Sequence, residues 1–323
     1  MVFIKNKGIV LYDFLLVQGG AESVSLALVE QLPKTSLCVD FLSELFLDKT
    51  LHSDVKMISI GRYSRNVVWQ YLKGIFNFTY KTRFISTYDW VIFSGTNAPC
   101  AVHNHAQGKN ILYCHTVPRF VYDLKSYWLK KATWWQYPIL LLLIWHVRRH
   151  YEAAIDKMDI VIANSENVQQ RILQYLGRDS EVIYPPVDIA RFQWLGQQDY
   201  YLSTSRLASY KRLDIIVSAF VQMPDKKLVV TSGGSELKRL KRLAKGAANI
   251  QFTAWLEEHE LMTLMGNCIA TIYIPIDEDF GMSPVESMAA GKPVIGVQEG
   301  GLLETVVPNE TGILLPANPS KAD

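Results

Sequence analysis

The sequence predicts an α/β protein made of two doubly wound, Rossmann-like halves with a cleft between them. Three observations carry this. Short apolar runs with the character of buried strands alternate with helical patterns, the signature of a parallel sheet. The alternation occurs twice, and Tyr184-Pro-Pro-Val-Asp188 separates the two series, because paired prolines resist both helix and sheet interior. The chain's 323 residues are long for one core and comfortable for two. The expected domains are residues 1–186 and 187–323.

In order, Gly8-Ile-Val-Leu-Tyr-Asp-Phe14 is the first strand, Gly19-Gly20 a turn, and 21–32 a helix closed by Pro33. Runs at 38–42, 90–94, 110–114, 159–164 and 181–184 supply further strands of the first half. The second half has runs at 200–205, 227–231, 250–252, 269–274 and 294–297. Between the last two lies the most informative stretch, Glu278-Asp-Phe-Gly-Met-Ser-Pro-Val-Glu286-Ser-Met-Ala-Ala-Gly291. Ser283 is placed as an N-cap, Pro284 as the first helical residue and Glu286 as the partner of Ser283 in a capping box. Gly291 suits the helix stop, with Pro293 just beyond. Glu278 and Glu286 thus flank a helix N-terminus at the end of a strand, where phosphate is attracted and carboxylates can hold sugar hydroxyls.

Composition excludes several classes. Net charge is +2, which gives no bulk electrostatic case for nucleic acid. Cys38, Cys100, Cys114 and Cys268 are scattered without CxxC pairs, arguing against a zinc site or disulfide framework and for reduced cytosolic thiols. The N-terminus lacks a signal peptide's apolar core, and the most apolar run, 137–145, is too short to span a bilayer. There is no low-complexity tract or short-period repeat. His103-Asn-His105 has no further ligands at useful spacing. Neither a Gly-x-Ser-x-Gly elbow nor a Walker loop is present.

Glu-x7-Glu with Phe-Gly inside, followed by Met-Ala-Ala-Gly-Lys-Pro-Val-Ile, Glu299-Gly-Gly-Leu-Leu-Glu-Thr305 and Asn309-Glu-Thr-Gly312, resembles the donor-sugar signature of retaining glycosyltransferases of family 4. That resemblance implies the GT-B fold. It also implies roles. Arg206 and Lys211, in Ser205-Arg206-Leu-Ala-Ser-Tyr-Lys211, correspond to the family's diphosphate-holding pair, whose positive charge stabilises a leaving group that becomes more negative. Arg212 is expected at the surface. Glu278 would hold hydroxyls of the transferring sugar and Glu286 the nucleotide ribose, with the structural role as a cap left open for Glu286. Backbone amides of Gly281, Met282 and Ser283 would approach sugar and diphosphate.

In the first half, Gln18-Gly19-Gly20-Ala21-Glu22 resembles the family's glycine loop, whose backbone comes close to the donor. His115, in Tyr113-Cys-His115-Thr, resembles the histidine that contacts the donor hexose. Arg119 and Asp123 are acceptor-side or donor-side candidates. Ser165, in Asn164-Ser165-Glu166, resembles a family step and is equally an N-cap. Asp277-Glu-Asp279 matches the metal-binding Asp-x-Asp of another glycosyltransferase fold, but its register before Phe280-Gly281 and the cations already present argue against a metal. No cofactor is expected beyond the nucleotide-sugar.

The implied activity is transfer of a hexose, mannose from GDP-mannose being the first expectation, to a glycan or lipid-linked acceptor in polysaccharide assembly. The Glu-Asp-Phe-Gly version, Tyr-x-His-Thr and Tyr-Pro-Pro-Val-Asp are similar to bacterial surface-polysaccharide mannosyltransferases. The chain stops at Pro316-Ala-Asn-Pro-Ser-Lys-Ala-Asp323, before the family's C-terminal crossover. The second domain is therefore expected to be incomplete, and a non-catalytic subunit needing a partner is the alternative. A sugar phosphorylase would need a pyridoxal lysine context, and a nicotinamide dehydrogenase a Gly-x-Gly-x-x-Gly after the first strand; neither is seen.

The segment 127–146, rich in aromatics and leucine and flanked by Lys125, Lys130, Lys131, Arg148 and Arg149, suits either a helix lying on anionic lipid or one packed in the first domain. Arg62, Arg65, Lys73, Lys81 and Arg83 would extend a basic membrane-facing surface. A cytoplasmic protein, peripheral on the inner face of the cell membrane, is the corresponding expectation. The cations between 238 and 245 suit a solvated helix face.

Overall fold

The computed structural model describes residues 7–16, 19–43, 55–64, 66–320 and 322. Gln18, Arg65 and the first six residues, to which expectations were attached, lie outside them. The chain divides into two compact units, Met1–Pro186 and Val187–Asp323.

In the first unit the described strands are β1 (Gly8–Leu15), β2 (Thr35–Leu42), β3 (Met57–Ser59), β4 (Trp90–Ser94), β5 (Lys109–Cys114), β6 (Ile160–Ala163) and β7 (Glu181–Val182). They form a parallel sheet in the order β3-β2-β1-β4-β5-β6-β7. The strands are near-continuous apolar runs because both faces are covered. Helix α1 (Gly20–Gln31) covers one face, with Val24, Leu26 and Val29 packed beside Val10, Tyr12, Leu37 and Val39. The other face carries α2 (Val67–Tyr80), a 3-10 helix (Ala98–Asn104), α3 (Lys125–Lys131), α4 (Gln136–Ile155) and α5 (Glu166–Leu176). Phe78, Tyr151, Ile155 and Ile172 are buried there against Leu11, Phe93 and Leu112. Ser165 caps α5, its Oγ accepting from the Val168 amide at 3.0 Å.

The second unit holds β8 (Tyr201–Ser203), β9 (Leu228–Thr231), β10 (Ile250–Ala254), β11 (Thr271–Ile272), β12 (Val294–Val297) and β13 (Gly312–Leu315), parallel in the order β10-β9-β8-β11-β12-β13. Its helices are α6 (Leu213–Val221), α7 (Leu237–Leu243), α8 (Glu258–Asn267), α9 (Met282–Ala289) and α10 (Leu302–Thr305). The cations of α7 are exposed, and Arg239 pairs with Glu236 at 2.6 Å and Asp214 at 3.2 Å.

Each sheet winds outward in both directions from an inner strand, so each has a point where strand order reverses: between β1 and β4, and between β8 and β11. Ligands of doubly wound sheets bind beyond the carboxyl ends of the strands at such a point. The residues of interest cluster at these two places.

Two expectations are corrected. Helix α9 starts at Met282, not Pro284, with Gly281 as its N-cap and no side-chain cap, so the Ser283–Glu286 capping box does not form. The reason is local. Gly281 takes a left-handed turn (φ 97°), which brings the helix start forward. Pro284 then sits third in the helix, where its missing N–H would have had no intrahelical acceptor. Arg212 is buried rather than on the surface. Gly291 does end the helix, left-handed at φ 68° with its amide on the Met288 carbonyl at 2.9 Å. All four cysteines are free and buried. No helix among the described residues is long and apolar enough to cross a membrane.

Candidate active site

In the second unit the chain leaves β8, passes Arg206, makes a 3-10 turn at Ser209–Lys211 and enters α6 through Arg212 in a left-handed conformation (φ 53°). Two neighbouring cations are thereby anchored differently. Lys211 Nζ donates to Glu278 Oε2 at 2.6 Å and to Tyr273 Oη at 2.9 Å. Tyr273 Oη donates in turn to Glu278 Oε1 at 2.9 Å, closing a triangle at the reversal point. Burial pulls the Lys211 pKa down, but Tyr273 and the Glu278 charge outweigh it and hold the ammonium above its ordinary value. Burial also pushes the Tyr273 hydroxyl up, so it stays a neutral donor.

Arg212 engages the opposite carboxylate. Its Nη1 and Nη2 lie 2.6 and 3.4 Å from the Glu299 oxygens, and Nη2 donates to Asn318 Oδ1 at 2.9 Å. Its Nη1 also reaches the Pro275 carbonyl at 3.5 Å. Gly300 and Gly301 follow Glu299 and lie against the Glu278 loop. A Cβ on Gly300 would sit 2.4 Å from the Glu278 carbonyl oxygen, and one on Gly301 2.5 Å from the Phe280 Cα. The Gly301 amide donates to the Glu278 carbonyl at 2.8 Å. The Glu299-Gly300-Gly301 segment therefore clamps the loop that presents Glu278, and Arg212 ties that clamp to the start of α6.

Helix α9 projects from the same loop. Its first-turn amides, those of Met282 and Ser283 included, meet no side-chain cap and form a ready anion site. Thr271 Oγ1 donates to Ser287 Oγ at 2.8 Å and Ser287 Oγ to the Lys292 carbonyl at 3.2 Å, fixing α9 against β11. Glu286 is half-buried within this helix. Burial raises its pKa, with Arg191 opposing, and no described residue hydrogen-bonds its carboxylate. Arg206 is exposed, its guanidinium unengaged by any described residue, and the neighbouring Ser205 hydroxyl is buried without a partner. Lys211 and Glu278 are thus in direct contact, whereas Arg206 and Glu286 stand apart with free polar groups.

In the first unit His115 follows β5. Its Nε2 lies 2.8 Å from the Oγ of Ser94, which ends β4, and its ring is edge-on to Tyr12 and Tyr113. Burial pushes its pKa down to about 4, so the imidazole is neutral at physiological pH. Tyr12 Oη donates to Glu22 Oε1 at 3.0 Å, and Glu22 folds back over Gly19, where a Cβ would meet Oε2 at 2.8 Å. Gly19 is the N-cap of α1 and supplies no side chain to cap it. Gly19 and Gly20 therefore bring a helix N-terminus without a side-chain cap to the β1–β4 reversal point. Arg119 Nε donates to Asp123 Oδ2 at 2.8 Å, so these two acceptor-side candidates are paired to each other, with Asp123 Oδ1 buried and unbonded.

Four contributors escaped the sequence. Tyr273 lies within an apolar run, 269–274, and looks like core. Ser94 looks like the polar end of a strand. Buried Asp13 accepts from the amides of Thr96, Asn97 and Ala98 at 2.7, 2.9 and 2.9 Å and so shapes the turn after β4. Burial raises its pKa to about 6 against those three amides. Arg212 was misplaced because a Lys-Arg pair entering a helix carries no sign of which cation turns inward. The Glu299-Gly300-Gly301 signature was the available signal for its partner. Of the metal alternatives, His105 is buried between the Asn110 side chain at 2.8 Å and the Tyr88 carbonyl at 2.9 Å. Among the described residues no three His, Cys, Asp or Glu groups converge to hold a metal.

Residues 187–323 match the family model "Glycosyl transferases group 1", and residues 18–191, more than half of the chain, match "Glycosyltransferase Family 4". The sequence is 28% identical over 233 residues to Alpha-1,3/1,6-mannosyltransferase ALG2 of Dictyostelium discoideum, covering 55% of this chain and 55% of that protein. The Mus musculus ALG2 is 26% identical over 216 residues, 54% of this chain and 52% of that protein. The chain spans about half the length of the curated relatives it matches. Among solved structures, Anabaena Alr3699/HepE in complex with UDP-glucose superposes with TM-score 0.72 at 17% identity, covering 98% of this chain and 87% of that one. Sucrose-phosphate synthase from Thermosynechococcus elongatus gives TM-score 0.74 at 16% identity, covering 97% and 86%. At such identities these likenesses establish the fold, which is GT-B.

Proposed function

The chain belongs to glycosyltransferase family 4, and on that premise we propose that it is a retaining hexosyltransferase carrying mannose from GDP-mannose to a glycan or lipid-linked acceptor. The observation that supports this most is the Lys211–Tyr273–Glu278 triangle beside the uncapped N-terminus of α9. In this reading the diphosphate lies against the first-turn amides of α9, with Arg206 and Lys211 supplying counter-charge and no metal required. Glu278 accepts hydrogen bonds from hydroxyls of the transferring hexose. Glu286, free of any capping duty, accepts from the ribose. From the first unit the amides of Gly19 and Gly20 and the neutral ring of His115 serve the donor, while Arg119 and Asp123 serve the acceptor side.

Transfer with retention proceeds on one face of the sugar. The bond from the anomeric carbon to the diphosphate oxygen breaks, the acceptor oxygen bonds to the same carbon, and the acceptor proton passes to the departing phosphate. Charge grows on the diphosphate as it leaves, so preorganised cations and amides stabilise the transition state more than the ground state. The mannose assignment rests on likeness to ALG2 mannosyltransferases over half their length. The Anabaena neighbour is complexed with UDP-glucose, which makes a uridine donor the alternative. Calorimetric titration with GDP, GDP-mannose, UDP and UDP-glucose, with and without a chelator, separates them. Chelator-insensitive binding of the guanosine pair alone supports the reading. Uridine-only binding moves the donor assignment, and metal-dependent binding overturns the metal-free site.

A further inference from the structure

Helix α4 is apolar on two opposite faces. One buries Ile144, Val147, Tyr151 and Ile155 in the core of the first unit. The other, with the turn before it, exposes Trp134, Trp135, Ile139, Leu142 and Trp145. Trp134 is 88% exposed, Leu142 67% and Trp145 59%. A helix that is apolar all round belongs in an apolar environment on both sides, and a patch of this kind marks an interaction surface. Helix α2 repeats the pattern. Trp69, Phe76 and Tyr80 are exposed beside the half-buried Lys73, at the spacing of one helix face. Both helices pack on the 3-10 helix Ala98–Asn104, on the same side of the sheet.

The charge around these faces decides what covers them. The sequence holds no acidic residue from 124 to 151, but has Lys125, Lys130, Lys131, Arg148 and Arg149 there. It holds none from 55 to 88 either, where Lys56, Arg62, Arg65, Lys73, Lys81 and Arg83 fall. In a chain of net charge +2 this is a local segregation. An open cavity of about 330 Å³ beside α2 is lined by Arg62, Lys73 and Lys81, with the Asp40 carboxylate held next to it by Asn77 at 2.6 Å. A tryptophan-rich apolar stripe edged by lysine and arginine is the pattern of a helix lying in a bilayer interface. Helix α4 has 20 residues with charged ones in its second half and does not qualify as a span, so it lies along the surface.

We propose that the first unit docks on an anionic membrane surface through the outer faces of α4 and α2. The apolar side chains Trp134, Trp135, Leu142 and Trp145 enter the headgroup–acyl boundary, while Lys130, Lys131 and Arg149 meet lipid phosphates; Arg148 is paired with Glu152 at 2.7 Å. This goes beyond the proposed reaction and does not depend on it, since none of these residues belongs to the Lys211–Glu278 site.

The test is flotation of the purified chain with phosphatidylcholine vesicles and with vesicles containing phosphatidylglycerol. Binding to the anionic vesicles only, weakened by salt, is expected. At roughly 1 kcal/mol per cation near the surface, Lys130→Gln/Lys131→Gln should weaken it by about tenfold to thirtyfold. Trp134→Ser/Leu142→Ser should weaken it at least as much, and Lys238→Gln/Lys241→Gln on α7 should not change it. Far-ultraviolet circular dichroism and a thermal melt of each variant show that the fold is intact, and donor titration reports on the active site independently of vesicle binding. Failure to bind anionic vesicles, or unchanged binding by both surface variants, overturns the proposal. So does a concentration-dependent dimer abolished by Trp134→Ser/Leu142→Ser, which would make this face a contact between copies.

Discussion

Replacing Glu299 by alanine should cost the second unit about 2–4 kcal/mol of stability. The reasoning starts from Arg212, whose side chain is 8% exposed and paired with Glu299 at 2.6 Å. Breaking a buried pair by deleting one partner typically costs about 3–5 kcal/mol, because the remaining charge stays buried. Here the value falls lower for two reasons. Glu299 is 21% exposed, so water can reach the gap, and Arg212 keeps Asn318 Oδ1 at 2.9 Å and the Pro275 carbonyl at 3.5 Å. Glu299→Gln retains a hydrogen-bond acceptor and should cost only about 1–2 kcal/mol. Because Gly300 and Gly301 hold the Glu278 loop, the alanine variant should also weaken donor binding, although the Glu299 side chain bonds to Arg212 and not to the triangle. Urea unfolding followed by tryptophan fluorescence gives the first quantity, and donor titration the second. A Glu299→Ala protein within about 0.5 kcal/mol of wild type, with unchanged donor affinity, would refute the clamp.

Three further outcomes are expected. Lys211→Met leaves Glu278 half-buried without its cation and should lower kcat at least about a hundredfold while the far-ultraviolet spectrum stays native, since removing one charge-stabilising group costs about that much; a kcat within a few-fold of wild type counts against the role. Ser283→Ala should change the melting free energy by less than about 0.5 kcal/mol, because Ser283 lies inside α9 and caps nothing; a loss of about 1 kcal/mol in a thermal melt would restore the capping box. His115, held at about 4 in the folded chain against 6.5 when unfolded, adds stability that is complete above pH 6.5 and is lost as pH falls toward 4; the ring is half-buried, so about 1–3 kcal/mol should go, and unfolding curves at pH 7 and pH 4 should show a steeper loss for wild type than for His115→Gln.

Much of the fold was legible because buried parallel strands are apolar runs with punctuated ends. The runs at 90–94 and 294–297 coincide with β4 and β12. Two strands were not found. β3 has three residues with none fully buried, and β13 lies at the sheet edge with one of its four residues exposed, so neither stands out from a loop. The helix at 282–289 was legible as a helix but not in its start, since Ser-Pro-x-Glu favours a cap that a left-handed Gly281 forestalls. The contact between Lys211 and Glu278 was foreshadowed only by resemblance. Nothing in local pattern joins residues 67 positions apart, or adds Tyr273 to them. Arg212 was misjudged for the same reason: its partner lies 87 residues away.

The account rests on the Lys211–Tyr273–Glu278 triangle and α9 as the donor site, and titrating GDP-mannose into wild-type and Lys211→Met protein in the presence of a chelator tests it most directly. The expected result is one-to-one binding to the wild type that is unaffected by the chelator and weakened at least about tenfold in the variant, the loss of one charge-assisted contact to the diphosphate. Equal affinities for the two proteins would place the nucleotide away from Lys211 and contradict the site.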